Sequence, residues 1–128
     1  MAATKPRARR PRAKAGKKVL FMQKPSCTTC RKARKFMERR GFQLYFRDLA
    51  KERLSSSELE KLIGKRDYTQ FLNTRNEVYR KENMKKEPPT RKEAIRKMAK
   101  EPNLIRRPVI VAGGRVVVGF DEDGIARL

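Results

Sequence analysis

Histidine is absent from this sequence of 128 residues. Its absence removes Ser-His and Cys-His catalysis and every imidazole metal ligand at once. Cysteine occurs only twice, at positions 27 and 30. Nothing therefore suggests a disulfide-stapled secreted domain, and a reducing cytoplasm fits best. No apolar run approaches the roughly 20 residues that a membrane-crossing helix needs, so no membrane partner is expected. The run at 19–22 is also too short for the apolar core of a signal peptide. Acidic residues are scarce, 14 against 35 Lys and Arg, for a formal net charge of +21. The length suits one domain with a single core.

What the sequence does have is a C-x-x-C pair, Cys27-Thr28-Thr29-Cys30, between a short apolar run and a basic helical pattern. That order puts Cys27 at the exit of a strand and the mouth of a helix. The first N–H groups of a helix lack internal partners and carry the positive end of its dipole, so a thiolate there is stabilised. Arg31 and Lys32 add positive charge in the first turn, and the Cys27 pKa is expected below the free-thiol value. Cys30, one turn on, is placed to attack a mixed disulfide at Cys27. Two other uses of the pair stay open. Half of a four-cysteine zinc site has this spacing, although a second pair is missing. Two buried structural thiols are the other, against which stand polar Thr28 and Thr29.

Residues 1–18 form a separate basic tail with eight Lys and Arg and no acid. It lacks the apolar content to fold and is expected to be disordered. It is either a solvated appendage or an arm for non-specific nucleic-acid contact. Subtracting its eight charges from +21 leaves +13 on residues 19–128, so the domain is basic too.

Within 19–128, a strand is expected over 19–23 and a helix from the CxxC to about Arg40, stopped by Gly41. Cys30, Ala33, Phe36 and Met37 form its buried stripe. Residues 43–48 read as a second strand, completing a βαβ unit. A helix capped near Ser55 carries Leu59, Leu62 and Ile63 and ends at Gly64. Weaker helical signals follow around Phe71, Leu72, Val78 and Tyr79. Thr90 caps a helix with Glu93 as its capping-box partner, and Pro102 terminates it. Two β-branched runs at 108–112 and 115–119, joined by Gly113-Gly114, predict a tight hairpin. Asp121 caps a short last helix reaching Leu128. The result is an α/β domain with a small mixed sheet of about four strands and a helical insertion before the hairpin.

Three motifs in this order, P-S-C-T-T-C-R-K-A-R at 25–34, L-N-T-R at 72–75 and L-I-R-R-P-V-I-V at 104–111, resemble the arsenate-reductase-like ArsC family. That family has a thioredoxin-like fold and also holds the Spx/MgsR redox regulators. The resemblance implies that Cys27 is the nucleophile and Cys30 its resolving partner. It matches Arg75 and Arg107 to two oxyanion-binding arginines and makes Pro108 a cis-proline facing Cys27. A third arginine of the reductases would fall near Gly119, where none stands, so arsenate reduction is expected to be weak or absent.

Two functions follow from the resemblance. One is a thiol–disulfide oxidoreductase needing no cofactor or metal, with glutathione, thioredoxin or glutaredoxin as electron donor. The other is an Spx-type regulator whose CxxC disulfide switches binding to RNA polymerase.

Overall fold

The computed structural model describes residues 17–128. The expected tail lies outside the described residues except for Lys17 and Lys18, and Lys18 already begins β1. The chain runs β1 (Lys18–Gln23), α1 (Thr28–Arg39), β2 (Gln43–Asp48), α2 (Ser56–Ile63), a 3₁₀ turn (Tyr68–Phe71) and α3 (Glu77–Lys81). It continues through α4 (Arg91–Lys100), a second 3₁₀ turn (Pro102–Leu104), β3 (Val109–Ala112), β4 (Arg115–Val118) and α5 (Glu122–Ala126).

The sheet order is β2-β1-β3-β4. β1 and β2 pair in parallel, while β3 is antiparallel to both β1 and β4. This is the mixed four-stranded sheet that the βαβ unit and the glycine-joined hairpin predict. Successive strand side chains point to opposite faces, and each strand of the centre feeds two cores. Val19 and Phe21 of β1, with Ile110 and Ala112 of β3, pack on Cys30, Ala33 and Met37 of α1 and Ile125 of α5. Met22 and Val109 face the other way, onto Leu59 and Ile63 of α2, Phe71, and Ala94, Ile95 and Met98 of α4. A one-residue slip of β1 would exchange these faces, so the two cores fix its register.

The helix ends follow local chemistry. Ser55 and Glu58 form a reciprocal capping box at α2, and Gly64 ends it at φ 52°. Thr90 caps α4, but Glu93 turns its carboxylate to Arg96 at 3.0 Å. The reciprocal box expected there is therefore half made. Gly113 alone of the hairpin pair has positive φ, 62°, the pattern of a type II′ turn. α5 stops at Ala126, two residues short of the expected Leu128. β2 borders the sheet, and its Tyr45 and Phe46 are 47% and 48% exposed. Among the described residues no helix is long and apolar enough to cross a membrane.

Candidate active site

β1 ends at Gln23, and the chain turns through Pro25 and Ser26 so that the Cys27 N–H bonds the Lys24 carbonyl at 2.9 Å. Cys27 then occupies the N-cap of α1, the place where Ser, Thr, Asp or Asn is usual. Its Sγ accepts the Cys30 backbone N–H at 3.3 Å. The sulfur thus takes one of the helix's orphan donors, and a thiolate accepts such a bond better than a thiol does.

The two thiols are free and unlike. Burial alone would push Cys27 up. The hydrogen bonds from Cys30, its backbone N–H included, and the nearby Arg107 guanidinium outweigh it and hold the Cys27 pKa below its ordinary value. Cys30 is completely buried. Burial first, and then the neighbouring Cys27 sulfur, push it up to about 12. The sequence assigned the local positive charge to Arg31 and Lys32. Both are exposed, and the cation that acts on the sulfur is Arg107, far away in the chain.

Arg107 reaches the thiol because β3 pairs with β1, Met22 opposite Val109, and two loops stitched together bring Arg75 to the same place. The bond Arg107–Pro108 is cis, as the resemblance implied, and Pro108 stands immediately before β3. Leu72 and Ile105 form an isolated antiparallel bridge. Around it the Asn73 N–H bonds the Leu104 carbonyl at 2.7 Å and the Arg106 N–H bonds the Phe71 carbonyl at 2.8 Å. Asn73 Nδ2 also donates to the Asn103 carbonyl at 3.0 Å, while its Oδ1 accepts the Arg75 N–H at 3.1 Å. The L-N-T-R loop is therefore laid along the segment leading into β3. Arg75 and Arg107 come to one cleft as a result.

That cleft measures about 600 Å³. Cys27, Thr29, Asn73, Arg75, Arg106, Arg107 and Gly119 line it, and no carboxylate does. Arg115 lies elsewhere, donating to the Arg127 carbonyl at 2.9 Å, and does not take the place of the third reductase arginine. Sequence reasoning missed two residues of this arrangement. Asn103 Oδ1 accepts from both Lys24 Nζ, at 3.1 Å, and Arg107 Nη1, at 3.2 Å. One amide oxygen thus holds two cations beside the CxxC turn. Arg106 is the second, and nothing in the sequence set it apart from the other arginines.

Asn103 is a positioning residue with a measurable consequence. Asn103→Ala removes the oxygen that anchors Arg107, so the guanidinium spends less time at the sulfur. The Cys27 pKa should rise, as read from the pH dependence of iodoacetamide alkylation. An unshifted profile would mean that the orientation of Arg107 does not depend on this amide.

Comparison with known proteins agrees with the fold. A sequence model described as the ArsC family matches residues 22–128. The global transcriptional regulator Spx of Bacillus subtilis (strain 168) is 32% identical over 111 residues, covering 85% of each chain. A solved ArsC-family-related protein from Bacteroides fragilis superimposes with a TM-score of 0.78 at 29% identity, covering 86% of this chain and 97% of its own. An arsenate reductase from Vibrio cholerae shares the fold with a TM-score of 0.75 at 21% identity, over 88% of this chain and 98% of its own.

Proposed function

Because the chain belongs to the ArsC family, we propose that it is a thiol–disulfide oxidoreductase working through Cys27 and Cys30, with glutathione or thioredoxin as electron donor. One observation carries this reading: the two sulfurs of one turn are driven in opposite directions, Cys27 down and Cys30 up. A half-buried low-pKa thiol that lines the cleft attacks, and a fully buried high-pKa thiol waits until the first has been converted to a mixed disulfide. A pair of structural thiols would need no such asymmetry. Residence in a reducing compartment such as the cytoplasm would keep both as thiols between turnovers. Arg75 and Arg107 would hold the anionic parts of a substrate, and Pro108 would hold Arg107 in place against the thiol.

The test is a coupled NADPH assay on hydroxyethyl disulfide, run separately with glutathione plus glutaredoxin and with thioredoxin. Turnover of about 1 per second or more with one donor is expected. Absence of turnover with both donors would sink the enzyme reading. Arsenate in the same assay should be reduced weakly or not at all, because residue 119 has no side chain with which to close on an oxyanion.

A second reading has its own support in the 32% identity to a protein named as a transcriptional regulator. On that reading the Cys27–Cys30 disulfide switches binding to RNA polymerase. Capture of polymerase from reduced and oxidised extracts by the immobilised chain distinguishes the two. Redox-dependent capture without turnover would favour the regulator. The basic residues 1–18 would on either reading add non-specific, salt-sensitive affinity for nucleic acid.

A further inference from the structure

Arg106 is exposed and lines the same cleft as Arg75. Its backbone is fixed by the N–H bond to the Phe71 carbonyl at 2.8 Å. Its guanidinium occupies the space that a side chain at 119 would take. A Cβ added at 119 would stand 2.7 Å from Arg106 Nε and 3.0 Å from both Cζ and Nη2, closer than real side chains approach. Gly119 is itself held there, since its N–H bonds the Pro108 carbonyl at 2.8 Å and its φ is 79°. The absence of a side chain at 119, which reads in the sequence as a missing arginine, is thus what makes room for a different one.

Among the described residues Arg106 makes no ion pair and no side-chain hydrogen bond. Arg107 Nε is buried without a partner. The cleft accordingly offers three guanidiniums and no acid around Cys27. Such a site asks for a ligand rich in acceptors, and a guanidinium fork matches a carboxylate with two bonds. Its volume suits a small organic molecule and is generous for a bare oxyanion.

Building on the oxidoreductase reading, we propose that Arg106 is a specificity-determining residue, seated by Gly119, which selects disulfides carrying a carboxylate close to the sulfur. The Cys27 thiolate attacks one sulfur of the substrate R–S–S–R. A Cys27–S–R bond forms, the S–S bond breaks and R–S⁻ leaves with the electron pair. Cys30 then loses its proton to solvent or to the departing thiolate and attacks Cys27 Sγ. The Cys27–Cys30 disulfide forms and the second R–S⁻ leaves. The substrate gains two electrons and the CxxC pair loses two. A thiol donor of the glutathione or thioredoxin class restores the pair. Arg106 pairs with the carboxylate of R in the first step.

The experiment compares two chromogenic disulfides reacting with the reduced full-length chain: anionic dithiobis(nitrobenzoate) and neutral dithiodipyridine. In Arg106→Gln the second-order rate constant for the anion should fall about tenfold relative to that for the neutral probe, the lower end for one lost charged hydrogen bond at an exposed site. Arg106→Lys should restore part of the ratio, and the pH profile of Cys27 should stay in place. Gly119→Ala should lower the same ratio by displacing the guanidinium. If its strained φ prevents folding, Arg106→Gln alone decides. An unchanged ratio in Arg106→Gln, or an equal fall for both probes, overturns the assignment while leaving the oxidoreductase intact. Failure of the unaltered chain to react with either probe overturns both.

Discussion

Replacing Cys27 by serine should abolish disulfide reduction, a loss of at least about a thousandfold, because a hydroxyl cannot serve as the thiolate nucleophile at neutral pH. Replacing Cys30 by serine should give a different failure. The first exchange still occurs, Cys27 being intact, but the mixed disulfide has no internal thiol to resolve it. Mass spectrometry of Cys30→Ser after one equivalent of disulfide should show a single stable adduct on Cys27, whereas the unaltered chain should show none. Equal adduct formation by both variants would mean that either sulfur can attack, which the burial of Cys30 argues against. The Cys27 variant should fold, since serine is itself a good N-cap residue.

Removing the Arg107 guanidinium should have the second largest effect. Arg107→Gln leaves the helix N–H groups in place but deletes the nearby cation that lowers the thiol pKa. The Cys27 pKa should move up toward that of an ordinary thiol, which is only a few per cent ionised at pH 7. The alkylation rate at pH 7 should fall on the order of tenfold. Raising the pH should recover most of it, because the variant still ionises, only later. A rate deficit that persists on the high-pH plateau would show that Arg107 acts on the transition state and not on ionisation.

The same two thiols make opposite contributions to the pH dependence of folding. Cys27 ionises more easily in the folded chain than in the unfolded one. Its contribution is present above the unfolded thiol pKa and is lost as pH falls through the lowered folded value. Cys30 keeps its proton up to about 12 when folded. Its contribution is complete below the unfolded thiol pKa near 9.0 and is lost as pH rises from there toward 12. The reduced chain should therefore weaken steeply in strong alkali.

The sequence could be read well wherever a local rule governs. The strand at 19–23, the Ser55 cap, the stop at Gly41 and the Gly113-Gly114 turn are decided within a few residues. Cys27 at a helix mouth was legible for the same reason. The arginines were not legible from physics alone. In a chain with 35 cations, no spacing marks one at 107 as belonging beside a thiol at 27. What brings Arg107 beside Cys27 is the pairing of β3 with β1, Met22 opposite Val109. Arg75 joins them through a set of bonds between Phe71, Asn73, Asn103, Leu104 and Arg106. They join segments some thirty residues apart and leave no periodic trace. Arg31 and Lys32 misled because nearness in sequence was taken for nearness to sulfur. Gly119 was legible as a missing side chain, but its second property, that Arg106 lies against it, was not.

The border strand β2 has a consequence for how the molecules treat one another. Its outer edge offers unpaired main-chain groups flanked by half-exposed Tyr45 and Phe46, a template onto which another strand could add. Among the described residues no strand pairs with that edge. Chains of net charge +21 repel one another. Repulsion of this kind reaches about 30 Å at 0.01 M salt and only about 3 Å at 1 M. Ionic strength therefore sets the colloidal stability of the protein in the sense opposite to that of a sticky ion-paired surface: dilute buffer keeps it dispersed, and concentrated salt brings the β2 edges within reach of each other.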